Sequence, residues 1–195
     1  MVTQPKIRAA TLADASTLVV LMDIAGEGMP NLLWGSLAAP AQSAIEVGRD
    51  RARRDEGGFS YRNAIVAELD GEVAGTLVGY RLDDPYDAGN LEELSETVRP
   101  LVALEARVPG SWYINVLATF AELRGKGIGT KLLDAAETKG REAGAQSLSV
   151  IVGSWNEGAA QLYARVGFVN IAHEPAALPL DVPKSGDWIL MTKSL

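Results

Sequence analysis

The strongest constraint on the fold of this chain is a glycine-rich turn between a strand pattern and a helix pattern. The turn reads Leu123-Arg124-Gly125-Lys126-Gly127-Ile128-Gly129-Thr130. After it, apolar residues recur at helical spacing on one face, which predicts an amphipathic helix over 127–143. Glycines directly before a helix let backbone N–H groups point at an anion, and the helix dipole favours negative charge there. Since Arg124, Lys126 and Lys131 add positive charge, the turn indicates a site for a pyrophosphate.

Two familiar phosphate motifs do not fit this turn. A Walker A motif needs Gly-Lys-Ser/Thr, but Lys126 is followed by Gly127. The dinucleotide fingerprint needs its third glycine where Thr130 stands and an acid about 20 residues later, where Val150 stands. The alternative is that the turn is purely structural and binds no ligand. This alternative is weaker than usual here, because glycines and cations are concentrated in the turn.

Strand and helix patterns around the turn predict a mixed fold. Asp70-Gly71 joins two segments rich in Val, Ala and Leu, which is typical of a two-residue hairpin, because both turn positions need positive φ. The succession strand, helix, strand, helix, strand after residue 111 indicates partly parallel pairing. We therefore expect an α/β fold (α+β mixed) with a central mixed, partly parallel sheet of six to seven strands flanked by helices. The expected strands are 6–10, 63–69, 72–80, 112–119, 147–152, 168–173 and 187–192, and the expected helices are one capped by Thr11, 41–55, 91–105, 127–143 and 156–166.

Two motifs, in this order along the chain, resemble those of the GNAT N-acetyltransferases. Arg124, Gly127 and Gly129 fill the family's acyl-CoA-binding pattern, Arg/Gln-x-x-Gly-x-Gly/Ala. The segment from Asn156 to Phe168 is similar to the family's second signature, Asn-x-x-Ala-x-x-Leu-Tyr-x-x-x-Gly-Phe. A lone glycine-rich motif would be weak evidence, but the order of the two motifs and the strand between them are specific.

This resemblance implies a fold, a donor and an activity. It implies a single GNAT domain over 1–195, with an acyl-CoA-binding core at about 111–168, acceptor-side helices and loops at about 11–60, and a variable insert at about 83–109. It also implies an N-acetyltransferase that moves an acetyl group from acetyl-CoA to a primary amine of a small molecule, a peptide or a protein. The cofactor-binding residues that it implies are Leu117, Ala118, Thr119, Arg124, Gly125, Lys126, Gly127, Ile128, Gly129, Thr130 and Asn156.

Within that set, the resemblance implies that the Leu117 backbone amide polarises the thioester carbonyl, while Ala118 and Thr119 pair with the pantetheine arm. Asn156 and Tyr163 are seven residues apart. On one helix this spacing places the two residues on one face, about 10 Å apart along the axis. Both side chains are therefore expected to face one extended cofactor.

Three residues are catalytic candidates for the proton transfers of the reaction. Tyr163 is the candidate general acid, because a phenol is protonated at neutral pH and suits the return of a proton to a thiolate; a core tyrosine is the alternative. Asn115 shares a strand face with Leu117 and is a candidate to position a relay water, or else a buried, satisfied asparagine. Glu27, in the glycine-flanked loop 26–30, is the candidate to bind or deprotonate an ammonium group.

The acceptor pocket has three aromatic candidates, Trp34, Tyr61 and Trp112, although large aromatic residues more often belong to a core. His173, the one histidine of the chain, is expected to be structural or exposed rather than catalytic.

Composition narrows the function further. The chain has no cysteine, which excludes disulfides and thiolate metal sites and favours direct attack in a ternary complex over an acetyl-cysteine route. With one histidine, no metal site is expected. The net charge of −7 disfavours a nucleic-acid partner. Residues 1–6 contain no apolar signal segment and no run reaches the ~18 apolar residues of a membrane span, so we expect a cytoplasmic protein without a membrane partner.

A non-catalytic acyl-CoA-binding sensor or scaffold with a GNAT fold is the alternative function. The lack of an assured base favours it, whereas Tyr163 and the intact turn favour an enzyme. A nucleotide-binding or hydrolytic protein would need a Walker lysine, a nucleophile elbow or a triad, none of which the sequence offers convincingly. The acceptor stays open among small amines, amino acids, aminoglycosides, polyamines and protein N-termini, and the insert 83–109 and the late strands are candidate homodimer surfaces.

Overall fold

The computed structural model of the chain describes residues 4–178, 182 and 184–195. Their strands form one sheet of seven strands in the order β1-β2-β3-β4-β5-β7-β6. The strands are β1 Lys6–Ala9, β2 Ala64–Leu69, β3 Glu72–Arg81, β4 Trp112–Thr119, β5 Ser147–Gly153, β6 Val169–Pro175 and β7 Asp187–Ser194. The helices are α1 Ala15–Ala25, α2 Met29–Ser36, α3 Ala44–Ala52, α4 Arg99–Glu105, α5 Ile128–Glu142 and α6 Glu157–Arg165.

The chain divides into two compact units, of which the first comprises Met1–Gly79 and Asn115–Ala136 and the second Tyr80–Ile114 and Glu137–Leu195. In the first unit, β2 pairs antiparallel with both β1 and β3. Asp70 and Gly71 have φ angles of 53° and 90°, as the predicted two-residue hairpin requires. Helices α1, α2 and α3 pack on one another. The buried apolar cluster of this unit includes Leu18, Val19, Met22, Trp34, Val66, Val78 and Val116.

A hydrogen-bonded ion-pair network fixes the junction between β1 and α1. Asp14 accepts hydrogen bonds from the Thr11 backbone amide at 2.7 Å and from the Thr11 hydroxyl at 2.9 Å. Arg8 donates to both Asp14 carboxylate oxygens, at 2.8 and 3.0 Å, and to Glu68 at 2.8 Å. The Arg8 hydrogen bonds hold the pKa of Asp14 at about 2. The predicted Thr11 cap is confirmed, although the residues that it caps form a 3-10 turn, Leu12–Asp14, before α1 begins.

In the second unit, β7 lies between β5 and β6. The first residues of β4 pair parallel with β5, with Trp112 opposite Leu148. Both β5 and β6 pair antiparallel with β7. Helix α4 packs against β6 and β7. The buried cluster of this unit contains Leu82, Leu104, Val108, Tyr113, Ala172 and Leu190.

The predicted mixed, partly parallel fold is confirmed, and some elements need correction. Helix α2 was not predicted, because Pro30 and Gly35 lower helix propensity; the proline is tolerated in the first turn. The helix expected over 91–105 is wrong in its first part, since α4 begins only at Arg99, which places Pro100 in the first turn. The helix expected over 41–55 begins later, after the Ser43 cap. A single domain over 1–195 stays a prediction.

No helix within the described ranges combines the length and the apolar character needed to cross a membrane.

Candidate functional site

The glycine turn before α5 is open to solvent. Gly125 and Gly127 have φ angles of 76° and 78°, which L-residues with a side chain rarely adopt. A Cβ built at either position would meet nothing within 4 Å. These glycines are therefore required by the backbone conformation and not by packing, and the space beside them is free for a ligand.

The first turn of α5 directs backbone amides toward this opening. The amide of Lys131 donates to the Gly127 carbonyl at 3.1 Å, which closes the first turn. The amides of Ile128, Gly129 and Thr130 precede that bond, and amides of a first turn have no carbonyl partner inside their own helix. Such a helix terminus attracts an anion.

Three cationic side chains accompany these amides. Arg124, Lys126 and Lys131 are all exposed. The guanidinium Nε of Arg124 lies 3.4 Å from the Thr119 carbonyl oxygen, to which it donates a long hydrogen bond. Exposed cationic residues thus flank the helix-terminal amides along the chain, and their role in binding a pyrophosphate stays a prediction.

The second half of β4 alternates between a buried and a more open face. This pattern agrees with the prediction that Asn115 shares a face with Leu117. The half-buried residues are Asn115, Leu117 and Thr119, and the buried ones are Val116 and Ala118.

Asn115 is partly satisfied within its own unit. Its amide nitrogen donates to the Gly58 carbonyl at 3.4 Å. An asparagine amide also has an acceptor oxygen, which no hydrogen bond among the described residues occupies. That oxygen is the atom on which the predicted role of holding a water depends.

Gly75 on β3 is a positioning residue that the sequence reasoning missed. A Cβ at this position would lie 2.6 Å from the Ala118 carbonyl oxygen and 3.1 Å from side-chain atoms of Ile128 and Thr119. Glycine is therefore what lets β3 approach β4 and the start of α5 so closely. An isolated glycine inside a strand pattern is the sequence signal for such an approach.

Glu27 lies in a left-handed turn between α1 and α2. Its φ angle is 53°, unusual for a residue other than glycine, and the next residue, Gly28, has a φ of 90°. The backbone amide of Glu27 donates to the Ile24 carbonyl at 3.2 Å, and the amide of Gly28 donates to the Asp23 backbone carbonyl at 3.0 Å. The loop predicted at 26–30 is thus a short ordered turn, because α2 begins at Met29.

Of the two aromatic candidates in this unit, one belongs to the core. Trp34 is only 2% exposed, and its ring packs edge-on against Phe59 with centroids 6.2 Å apart. This burial favours the alternative of a core tryptophan, and a place for Trp34 in the acceptor pocket stays a prediction. Tyr61 is half-buried. Its hydroxyl lies 3.4 Å from the Asp55 carboxylate, and the Arg62 guanidinium lies 5.4 Å from the centre of its ring. The role of Tyr61 in the acceptor pocket stays a prediction.

In the second unit, Asn156 caps helix α6. Its side-chain oxygen accepts a hydrogen bond from the Ala159 amide at 3.2 Å. Asn156 precedes the helix and has non-helical backbone angles, φ −92° and ψ 64°. The spacing argument assumed that both residues are helical, which holds only for Tyr163, and the expectation that both face one cofactor stays a prediction.

A Schellman motif ends the same helix. The Phe168 amide donates to the Tyr163 carbonyl at 3.0 Å, and the Gly167 amide to the Ala164 carbonyl at 3.1 Å. Gly167 has a φ of 98°, and the rings of Tyr163 and Phe168 are 5.5 Å apart, which supplies the apolar contact of the motif. The asparagine and the Gly-Phe pair of the signature thus define where this helix begins and ends, and so fix the position of Tyr163.

Tyr163 combines a buried ring with an unpaired hydroxyl. The residue is 5% exposed. Burial raises the pKa of its phenol well above the usual value. Within the part of the chain that the structure describes, no residue forms a hydrogen bond with this hydroxyl. The phenol therefore stays protonated at neutral pH and has bonding capacity left for a ligand.

The remaining candidates of this unit are a tryptophan and a histidine. Trp112 is buried and packs near Gly140, which favours the alternative of a core residue, and its pocket role stays a prediction. His173 is half-exposed, with Nε2 at 2.6 Å from Asn170 and Nδ1 at 3.9 Å from Asp187, as expected of a structural or exposed histidine. Among the residues described, no cluster of three or more His, Cys, Asp or Glu side chains is arranged to hold a metal ion.

The sequence pattern of the acetyltransferase (GNAT) family matches residues 36–168, which include both the glycine turn and helix α6. The chain belongs to the GNAT family. Members of this family are acetyltransferases and generally take the acetyl group from acetyl-CoA.

Individual relatives agree with the GNAT assignment. Mycothiol acetyltransferase from Propionibacterium freudenreichii subsp. shermanii is 28% identical over 140 residues, which are 72% of this chain and 38% of that protein. The chain thus spans little more than a third of this curated relative. A crystal structure of an acetyltransferase superposes with a TM-score of 0.67 at 25% identity, covering 97% of this chain and 98% of the other. An N-acetyltransferase from Staphylococcus aureus Mu50 has a TM-score of 0.66 at 21% identity, covering 96% and 99%, and at that identity shows the GNAT fold alone.

Proposed function

We propose that this GNAT protein transfers an acetyl group from acetyl-CoA to a primary amine by direct attack in a ternary complex. The observation that carries the proposal is the open glycine turn, where three exposed cations flank the amides of the first turn of α5 along the chain. This is the chemistry that holds a pyrophosphate. The lack of cysteine supports direct attack, because no thiol side chain is present to carry the acetyl group.

The first unit fits acetyl-CoA by its chemistry. We assign the pyrophosphate to residues 124–130 and the pantetheine arm to Leu117, Ala118 and Thr119. The open space beside Gly125 and Gly127 supports this assignment, because a Cβ there would take part of that space. When bound, acetyl-CoA supplies a thioester carbonyl activated for acyl transfer. The backbone N–H of Leu117 is the group that we assign to stabilise negative charge on that carbonyl oxygen. Asn156 stays a proposed cofactor contact through its amide nitrogen, since its oxygen caps α6.

The Tyr163 hydroxyl is the proposed proton donor. Because burial raises the pKa of the Tyr163 phenol, the hydroxyl is protonated at neutral pH and can donate its proton whenever substrate binds. The absence of a hydrogen-bond partner among the described residues supports this role, because the proton is not shared within the protein.

Glu27 is the proposed group that binds the ammonium form of the acceptor or removes its proton. Non-glycine residues in left-handed backbone are enriched at functional sites, where the surrounding structure holds the strain. The charge of −7 also favours the approach of a cationic amine. The oxygen of Asn115 offers a second route for the proton, by holding a water. Tyr61 is a half-buried aromatic residue proposed for the acceptor pocket.

The test is a screen for acetyl-CoA consumption with small amines, amino acids, aminoglycosides, polyamines and peptides with free N-termini. Release of the CoA thiol, measured with a thiol reagent, should exceed amine-free hydrolysis for at least one class, and mass spectrometry should find the acetylated amine. CoA binding by calorimetry without turnover of any class would favour a non-catalytic acyl-CoA sensor or scaffold instead.

A further inference from the structure

A carboxylate surrounded by tyrosines lies in the second unit. The Tyr86 hydroxyl donates to Glu105 Oε2 at 2.6 Å. The Tyr113 hydroxyl lies close enough to the same carboxylate to lower its pKa. The Tyr80 ring packs edge-on against that of Tyr113, with centroids 5.9 Å apart and planes at 77°. We call these four residues the Glu105 cluster, and the acetyl-transfer proposal uses none of them.

The charge of Glu105 has no cationic partner among the residues that the structure describes. Arg107, two positions further along, pairs instead with Glu174 at 2.8 Å. Burial raises the pKa of Glu105, while the Tyr86 hydrogen bond and the nearby Tyr113 hydroxyl lower it by less. A partly buried carboxylate without a counter-ion gains stability when a cation reaches it.

The Glu105 cluster is only partly buried. Glu105, Tyr80 and Tyr86 are half-buried, whereas Tyr113 is buried. A carboxylate accepts up to about four hydrogen bonds, so Glu105 keeps acceptor positions beyond the one that Tyr86 uses. The faces of phenol rings attract cations within about 6 Å. An unneutralised carboxylate beside aromatic rings is suited to an alkylammonium group, which combines N–H donors, a positive charge and an apolar chain.

We propose that the Glu105 cluster binds an organic ammonium group. A divalent metal fits it poorly, because Ca²⁺ takes 6–8 oxygen ligands and Mg²⁺ demands an octahedron, whereas this cluster offers one carboxylate. The cluster belongs entirely to the second unit. The proposal does not depend on acetyl transfer, and its test uses no acetyl-CoA, so either idea can fail without the other.

The test is a titration of the full chain with n-butylammonium, in which NMR monitors the signals of ¹³C-labelled tyrosine rings. n-Butylammonium should shift the ring signals of Tyr80, Tyr86 and Tyr113 in a saturable manner. n-Butanol, a neutral molecule of the same chain length, should bind at least tenfold more weakly. Glu105→Gln keeps an acceptor oxygen but removes the charge, and should weaken n-butylammonium binding at least tenfold. Glu174→Gln, which removes a carboxylate that already has a cationic partner, should bind as the wild type does.

Three results would overturn the proposal: no saturable shift with n-butylammonium, equal binding of n-butanol, or Glu105→Gln binding equal to wild type. If Glu105→Gln does not fold, the comparison of ammonium with alcohol on the wild-type chain decides alone. A further titration with Nα-acetyl-lysine amide distinguishes two sources of the ammonium group. Tighter binding of this compound than of n-butylammonium indicates a protein lysine, and weaker binding indicates a free amine.

Discussion

At the scale of single residues, the Tyr163 hydroxyl can be removed without disturbing the fold. Tyr163→Phe keeps the ring contact with Phe168 and deletes an oxygen that has no partner among the described residues. We expect kcat to fall by about 10²–10⁴-fold, the usual contribution of a general acid, with unchanged acetyl-CoA affinity and melting temperature. Steady-state kinetics and calorimetry measure these quantities, and an unchanged kcat would leave Tyr163 with a packing role alone.

Glu27 allows function and backbone strain to be tested separately. Glu27→Gln should raise KM if the carboxylate binds the ammonium; if the carboxylate is the base, kcat should fall and its acidic pH limb should change. Glu27→Gly removes the same carboxylate and also relieves the left-handed strain, so its free energy of unfolding should exceed that of Glu27→Gln by roughly 1 kcal/mol. Kinetics for both variants that match wild type at every pH would exclude Glu27 from the site.

At the scale of elements, the N-terminus of α5 should account for CoA affinity. Gly127→Glu places a carboxylate in the open space of the turn, and we expect at least about tenfold weaker CoA binding by calorimetry. Gly144, just beyond the other end of α5, is the matched control, because it has a φ of 71° and a Cβ added there would meet nothing within 4 Å. Gly144→Glu should bind CoA normally, and equal affinities of the two variants would contradict the assigned site.

The β1–α1 junction should make stability dependent on acid. Hydrogen bonding by Arg8 holds the pKa of Asp14 at about 2, below the usual 3.8. A carboxylate with a lowered pKa stabilises the fold above its unfolded pKa, and this contribution is lost as the pH falls from about 4 to 2. The shift corresponds to about 2 kcal/mol. Denaturant unfolding across this range should therefore be less pH-dependent for Asp14→Asn.

The control for this experiment is Asp55→Asn. Asp55 pairs with Arg62 at 2.6 Å, but both side chains are mostly exposed, so this pair should contribute little to stability. An acid dependence that Asp55→Asn reduces as much as Asp14→Asn does would show that the junction is not its source.

At the scale of the whole molecule, sequence predicts the features that are locally determined. The Asp70-Gly71 hairpin and the glycines before α5 were predicted because positive φ leaves few residue choices. The insertion of β7 between β5 and β6 could not be predicted, because strand order depends on tertiary contacts that leave no local pattern. The burial of Trp34 could not be predicted for a similar reason, since a tryptophan has the same local signal in a core as in a pocket. The Glu105 cluster also escaped prediction, because its members belong to separate elements that only the tertiary fold brings together.

The place of β7 bears on how the protein is made. During synthesis β5 and β6 are made before β7, the strand that separates them in the sheet. The backbone groups on the edges that β7 covers therefore lack their hydrogen-bond partners until β7 is made. About 20 residues separate the end of β6 from the end of β7, which takes about 1–4 s at the usual translation rate of 5–20 residues per second. Unpaired strand edges are templates for aggregation. The edges of β5 and β6 therefore stay open to edge-to-edge association until β7 has been synthesised.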